Sequence, residues 1–217
     1  MNIATTSQTV TRLAQFDRQR GVELRAYDEG GFLQSESELS FSEAAQRIAR
    51  GETVAFEEVA KEKMTVSYTQ SGIFSGPIDK EADLTLTQRM RTRIDSAEEL
   101  QQFAQFRLGE APSSDVEKLA ARLKGFEGHV NHQTRDIEAI SQVKTGFLGG
   151  KKLVDGPGLS AFEAAQIIAH GGTIALTQLP VLAMAEALIT GSGESGVKEA
   201  MKTRFVSGEA DLDALRA

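Results

Sequence analysis

Two histidines and one acidic residue lie close together in the middle of the chain and are the residues best suited to bind a metal. His129 and His132 are three residues apart, and Asp136 follows four residues later. In a helix, this spacing would place both imidazoles on one face. Gly128 and Asn131 are poor helix residues, however, and no HExxH motif is present. These residues are therefore weak metal candidates, and we expect neither a bound metal nor an organic cofactor.

Three arginines alternate with other residues between positions 89 and 94. If this segment is a strand, Arg89, Arg91 and Arg93 lie on one face, where guanidinium groups can bind phosphates. The formal net charge of the chain is −7, however, and no aromatic residue is interleaved for base stacking. We interpret the strip as solvent-exposed or as a contact surface for a protein partner. Nucleic acid is the weakest alternative.

Other patterns that carry chemistry are absent or weak. The chain has no cysteine, which excludes disulfides and thiol catalysis. Glu57 and Glu58 could pair as acid and base, but adjacent residues of a strand point to opposite faces. The glycine-rich segments GFLGG (146–150) and GSGESG (191–196) lack a phosphate-binding pattern. We interpret both segments as linkers.

One 18-residue segment occurs twice. Residues 39–56 read LSFSEAAQRIARGETVAF and residues 159–176 read LSAFEAAQIIAHGGTIAL, with 11 of 18 positions identical. Each copy has Ser three residues before Glu, which is the capping-box spacing, and Gly where a helix would end. The β-branched residues that follow favour a strand. We predict a helix and then a strand in each copy, and we interpret the pair as an internal duplication. His170 replaces Arg50 of the first copy and would complement the negative end of the helix dipole.

The flanking segments predict further elements. Periodic apolar residues predict a helix over 5–20, and alternation predicts a strand over 22–27. Residues 54–68 look strand-like, with a connection at 57–63. Four further helices are predicted, over 95–108, 113–123, 136–143 and 179–189, and two short terminal helices over 197–205 and 210–215.

These elements predict an α+β fold in which two related helix–strand units, about 39–56 and 159–176, flank a mainly helical middle. The predicted segments are an N-terminal helix (1–20), a first α+β unit (21–78), a helical middle (79–145) and a second unit with C-terminal helices (146–217). The alternative is one single domain.

Composition excludes several classes of protein. The chain has 217 residues, of which 40% are hydrophobic and 25% charged, as in ordinary globular proteins. The acidic balance argues against nucleic acid or an anionic membrane as the main partner. The N-terminus does not resemble a secretory signal peptide, and no apolar stretch is long enough to span a bilayer. We expect a cytoplasmic protein, or one exported by a route without a cleavable signal peptide.

Two segments carry apolar residues that the local pattern does not bury. Ile73 and Phe74 lie in the loop SGIFSGP, and Met184 lies in the apolar run 179–189. We favour this run as the core helix of the C-terminal part, and the alternative is a self-association surface. Together with the duplication, the two segments favour a non-enzymatic interaction, adaptor or structural module, with a bacterial secretion or host-contact system as one setting. Its partner would be another protein or a second copy of the chain. The alternative is a small metal-dependent or small-molecule enzyme with a site near His129 and His132.

Overall fold

Helices and strands are both abundant, and the α+β class predicted from the sequence is confirmed. The computed structural model describes residues 3–28, 38–70, 78–128, 130–131, 136–180 and 202–216. In its first half the elements are α1 (Ile3–Arg20), β1 (Glu23–Asp28), α2 (Phe41–Ala49), β2 (Val54–Gln70), β3 (Ile78–Ile94) and α3 (Ala97–Leu108). The second half contains α4 (Asp115–Leu123), a 3-10 turn (Lys124–Phe126), β4 (Val130–Asn131), β5 (Asp136–Thr145), β6 (Lys151–Leu153), β7 (Gly158–Leu159), α5 (Ala161–Ala169), β8 (Ile174–Pro180), β9 (Lys202–Val206) and α6 (Glu209–Arg216).

Two sheets meet at the short strand β7. The first has the order β1-β2-β3-β7 and the second the order β4-β5-β8-β9, with β6 paired to β5. Gly158 of β7 pairs with Met90 of β3, and a Cβ at this glycine would lie only 3.2 Å from the carbonyl oxygen of Ile140 in β5. Glycine therefore lets the two sheets approach closely at this point.

Strands β2 and β3 form a long antiparallel hairpin of 17 residues on each side. Strand β1 pairs only with residues 54–59 of β2, so the hairpin extends well beyond the pairing with β1. The connection predicted at 57–63 is wrong, because Glu57 and Glu58 fit a continuous strand by facing opposite sides. Glu57 pairs with Arg89, and Glu58 pairs with Arg107.

The middle of the chain contains more strand than the sequence predicts. Its helices lie within residues 97–126, whereas residues 78–94 and 136–145 are strands. The helix predicted over 136–143 is therefore wrong. The helix predicted over 197–205 is also wrong where it is described, because residues 202–206 form β9. Strand β3 pairs with β2 along its whole length, and β5 and β9 both pair with β8, which is distant from each of them in sequence. Such pairing overrides local propensity.

Both copies of the repeated segment fold as predicted into a helix followed by a strand, α2 with β2 and α5 with β8. Gly51 and Gly171 follow the helix ends with φ angles of 81° and 77°, a conformation that glycine adopts without strain. Strand β8 continues to Pro180, so the helix predicted over 179–189 does not begin at Leu179; its remaining residues, 181–189, lie outside the described part of the chain. The internal duplication itself stays a hypothesis.

The two helix caps differ in one contact. In α2, the backbone N–H of Ser40 donates to Glu43 Oε2 at 2.9 Å and closes a capping box. In α5, Ser160 caps the helix, but Glu163 Oε2 accepts a hydrogen bond from the Arg93 N–H of β3 at 3.1 Å. The second helix is therefore bound to the first sheet by the residue that would otherwise close its cap.

We expect Ser160→Ala to destabilise the chain more than Ser40→Ala. Loss of an N-cap costs about 1 kcal/mol, and up to about 2 where the cap is well integrated. Ser40 is exposed, whereas Ser160 is 4% exposed and its hydroxyl also contacts Thr92. Denaturant unfolding of both variants measures the difference. Equal midpoints would show that the buried contact contributes nothing.

One hydrophobic cluster extends from α1 to α6 and includes residues of both sheets. Its aromatic centre consists of Phe56 in β2, Phe103 in α3 and Phe162 in α5. The ring centroid of Phe103 lies 5.9 Å from that of Phe56 and 5.5 Å from that of Phe162. All three rings are at most 2% exposed, so Phe103 joins the first sheet to the helix of the second unit.

Candidate functional sites

A pocket of about 590 Å³ opens beside the β2–β3 hairpin. Its walls come from the C-terminal end of α1, strands β2 and β3, helix α3 and the 3-10 turn. Met90, Phe103 and Phe106 give it an apolar wall. Its charged lining residues are Arg20, Glu58, Lys61, Arg107, Lys124 and Glu127.

A buried cation lies between two carboxylates in one wall of this pocket. Arg107 Nη2 lies 2.7 Å from Asp17 Oδ1, and Arg107 Nη1 contacts Glu58 Oε2. Burial raises the pKa of Asp17, while the positive charge of Arg107 acts in the opposite direction. This arrangement ties α1, β2 and α3 together, and a group held so firmly serves structure rather than proton transfer.

Among the titratable groups that line the pocket, Glu127 has the pKa that is shifted most clearly by its surroundings. Its Oε1 accepts a hydrogen bond from the backbone N–H of Ala161, the first residue of α5. Burial raises the pKa of Glu127 to about 7, although the Ala161 N–H, Arg107 and Lys124 favour the charged form. A carboxyl group that titrates near neutral pH inside a pocket is a recognised mark of functional sites.

Glu127→Gln is expected to change how stability depends on pH. Because the folded-state pKa lies above the ordinary value of 4.5, the folded state holds the proton more tightly, and Glu127 lowers stability as pH rises towards about 7. The variant should therefore gain stability relative to the parent over this interval, by up to about 1.4 kcal/mol per pH unit. Urea unfolding at several pH values measures the difference.

A glutamine can still accept the hydrogen bond of Ala161, so the variant keeps the local geometry. Gln101→Ala provides the control, because it changes an exposed side chain of α3 that is not titratable. Parallel curves for parent and Glu127→Gln would contradict the raised pKa of Glu127.

The arginine strip lies in β3, within the segment that was predicted as part of a helical middle, and each arginine has a carboxylate partner. Arg89 pairs with Glu57 at 3.3 Å, while Arg91 and Arg93 lie 3.5 Å and 3.4 Å from Glu163. Burial raises the pKa of Glu163, and the two arginines act against that shift. The strip therefore holds α5 against the first sheet, which reduces the charge it can offer to a phosphate.

A second, more open cavity of about 450 Å³ lies between α3 and α5. Asp95, Glu99 and His170 are among its lining residues. His170 Nδ1 lies 2.7 Å from the Gln166 carbonyl oxygen in the last turn of α5, which fits the structural role predicted for this histidine. Among the described residues, no group of three or more acidic or imidazole side chains is arranged to hold a metal ion.

Most of the site residues predicted from the sequence lie outside the described part of the chain. Asp136 begins β5, whereas His129 and His132 lie outside the described residues, so the metal hypothesis near them stays a prediction. Ile73, Phe74 and Met184 also lie outside the described part of the chain.

The hairpin formed by β5 and β6 ends in a tight turn that exposes two large apolar side chains. The Gly146 N–H donates to the Gly150 carbonyl at 2.7 Å, and the Gly149 N–H donates to the Gly146 carbonyl at 2.9 Å. Gly149 has a φ of 77°, which suits glycine. Between these glycines, Phe147 and Leu148 are 105% and 95% exposed. Their side chains therefore pack against no other residue in the described part of the chain.

Basic residues flank this turn. Lys144 lies directly opposite Lys152 in the β5–β6 ladder, and Lys151 Nζ lies 5.0 Å from the ring centroid of Phe205 in β9. Phe205 is itself 40% exposed. We refer to residues 144–152 as the hairpin tip. It combines apolar and cationic surface in a chain whose net charge is negative.

Sequence reasoning missed both the pocket and the hairpin tip. Glu127 belongs to no sequence motif. Its environment in the pocket forms only when α5 packs beside the 3-10 turn. The tip did have a signal, since KTGFLGGKK places two large apolar residues between glycines and lysines. Its glycines favoured the linker interpretation, which the paired hairpin shows to be wrong for residues 146–150.

Comparison with known proteins gives no match: no family model, curated protein or solved structure is significantly similar to this chain. Function must therefore be argued from the sites themselves. Within the described residues, no helix is both long enough and apolar enough to cross a bilayer.

Proposed function

We propose that this chain is a non-enzymatic interaction module that docks through the hairpin tip. The observation that carries this proposal is the complete exposure of Phe147 and Leu148 on a structured turn. Burying one such side chain contributes about 1.5–3 kcal/mol, so a partner that covers both gains a useful fraction of a binding energy. A cytoplasmic or exported setting in a bacterial secretion or host-contact system belongs to the same proposal.

The surroundings of the tip support docking rather than chance exposure. Of the four large hydrophobic residues that are exposed in the described part of the chain, Phe147, Leu148 and Phe205 lie at or beside the tip, and the fourth is Ile78. Lys144, Lys151 and Lys152 provide the polar rim that interfaces commonly have around an apolar centre. Contacts concentrated in a few apolar anchors with a polar rim are typical of interaction surfaces.

Site-specific photo-crosslinking tests the proposal. A photoreactive phenylalanine analogue is placed at Leu148, and in a control protein at Gln101, which is exposed on α3. In cells that produce the chain, we expect a crosslinked product from position 148 and none from position 101. A product that contains a second copy of the chain would identify a homodimer.

Equal crosslinking at both positions would contradict docking through the tip, and so would the absence of any crosslinked polypeptide or lipid at position 148. Because Leu148 is 95% exposed, we expect its replacement to leave the protein folded. Circular dichroism of both labelled proteins confirms this point.

The pocket supports a second candidate function, the binding of a small organic anion. Arg20, Lys61 and Lys124 surround an apolar wall that includes Phe106, and Glu127 adds a carboxyl group with a pKa of about 7. This pocket is a further candidate site for the small-molecule alternative, and the site near His129 and His132 stays a prediction. We expect simple aromatic carboxylates to raise the melting temperature of the parent but not that of Lys124→Glu. The absence of any such shift in the parent would exclude this function.

A further inference from the structure

We infer that the partner of the hairpin tip is an anionic phospholipid surface, with Phe147 and Leu148 inserted at the boundary between headgroups and acyl chains. This inference rests on the proposed function, because it uses the same residues and names the chemistry of what they meet. Three features of the tip favour a lipid surface over a folded protein: its shape, its charge and the placement of its lysines.

The shape of the tip suits a deformable partner. Phe147 and Leu148 are adjacent residues at the end of a two-stranded hairpin, and both protrude fully into solvent. A protein would need a preformed cavity to bury a convex feature of this kind. A bilayer accepts it without such a cavity, and side chains of this type enter the interfacial region when apolar and basic residues are combined.

The charge of the tip favours an anionic surface. Lys144, Lys151 and Lys152 lie three or four residues from the apolar pair, and the tip segment 144–152 contains no acidic residue. Among the described residues, no carboxylate is paired with any of these three lysines. Lysines beside a membrane-inserted segment each strengthen binding to anionic lipid by roughly fivefold.

The pairing of the lysines is itself unfavourable in isolation. Lys144 and Lys152 lie directly opposite each other in an antiparallel ladder, where like charges destabilise a hairpin. An anionic surface would remove that repulsion, and both lysines would then contribute to binding it. The net charge of −7 also orients the chain at an anionic surface. The rest of the chain is repelled by that surface, so only an approach with the hairpin tip first is favoured.

Vesicle co-sedimentation tests the inference directly. The purified chain is mixed with vesicles of phosphatidylcholine alone or of phosphatidylcholine with phosphatidylglycerol. We expect binding to the anionic vesicles, weaker binding to the neutral ones, and a decrease as salt is raised. The variants are Phe147→Ala/Leu148→Ala, which removes the apolar pair, and Lys144→Gln/Lys152→Gln, which removes the opposed charges.

Each variant has a matched control elsewhere on the surface. Ile78→Ala removes another exposed apolar residue, and Lys63→Gln/Lys80→Gln removes two exposed lysines of the β2–β3 hairpin. We expect both controls to bind like the parent. The apolar double variant should lose about a hundredfold or more in affinity, because it removes two side chains that are both buried in the bound state. The lysine double variant should lose about tenfold or more on anionic vesicles only.

Two results would overturn the inference: equal binding to neutral and anionic vesicles, or tip variants that bind like the parent. If no vesicles are bound while position 148 crosslinks to a polypeptide, the lipid inference fails and the proposed function stands. If neither vesicles nor crosslinks are found, both fail.

Discussion

Arg107→Met is expected to lower the free energy of unfolding by about 3–5 kcal/mol, the usual cost of removing one partner from a buried ion pair. The arginine side chain is 11% exposed and is the shared partner of Asp17 and Glu58. Methionine fills much of the same volume but leaves both carboxylates without their cation. Urea unfolding near neutral pH measures the loss.

The loss in free energy of unfolding caused by Arg107→Met should become smaller at acidic pH. Without the arginine, the folded-state pKa of Asp17, already raised by burial, should rise further. Stability of the variant therefore falls as pH rises above the ordinary Asp value of about 3.9, and it is regained as pH falls. Arg12→Met is the control, because Arg12 forms an exposed pair with Glu110 whose loss should cost no more than about 1 kcal/mol. Equal losses for the two variants would show that the Arg107 cluster is not a buried ion pair.

Phe103→Ala should cost about 3–5 kcal/mol, as expected when a buried aromatic ring is replaced by a methyl group. Phe103 is 2% exposed and lies between Phe56 and Phe162. Its removal opens a cavity at the contact between the first sheet and α5. Thermal and denaturant unfolding both measure the effect.

The same substitution at Phe147 provides the matched control. Phe147 is fully exposed, so Phe147→Ala should change the free energy of unfolding by no more than about 0.5 kcal/mol. Similar losses at the two positions would contradict either the burial of Phe103 or the exposure of Phe147. A small loss at Phe103 alone would indicate that the core relaxes into the cavity.

Local signals were sufficient to predict the helices but not all of the strands. Ser40, Ser96, Ser114 and Ser160 cap helices whose starts were readable from the sequence, because a cap depends on residues three positions apart. Strand β3 begins with the charged stretch Asp79–Glu81 and was predicted as part of a helical middle. Its structure is determined by β2, which supplies the partner for every residue from 78 to 94.

The candidate sites depended even more on distant parts of the chain. Glu127 becomes a perturbed carboxyl group only because folding buries it, in a place where the N-terminus of α5 at Ala161, 34 residues away, packs against it. The hairpin tip was missed for a different reason, because the net charge of −7 argued against an anionic membrane as a partner. Net charge averages over the whole surface, whereas Lys144, Lys151 and Lys152 act locally.

A fluorescent reporter at the hairpin tip tests the central claim most directly. The chain contains no cysteine, so Leu148→Cys and Gln101→Cys each provide a single site for an environment-sensitive dye. When phosphatidylglycerol-containing vesicles are added, we predict a blue shift and increased emission for the dye at position 148 and no change at position 101. Unchanged emission at position 148 would contradict docking of the tip on such a surface, as would equal shifts at both positions.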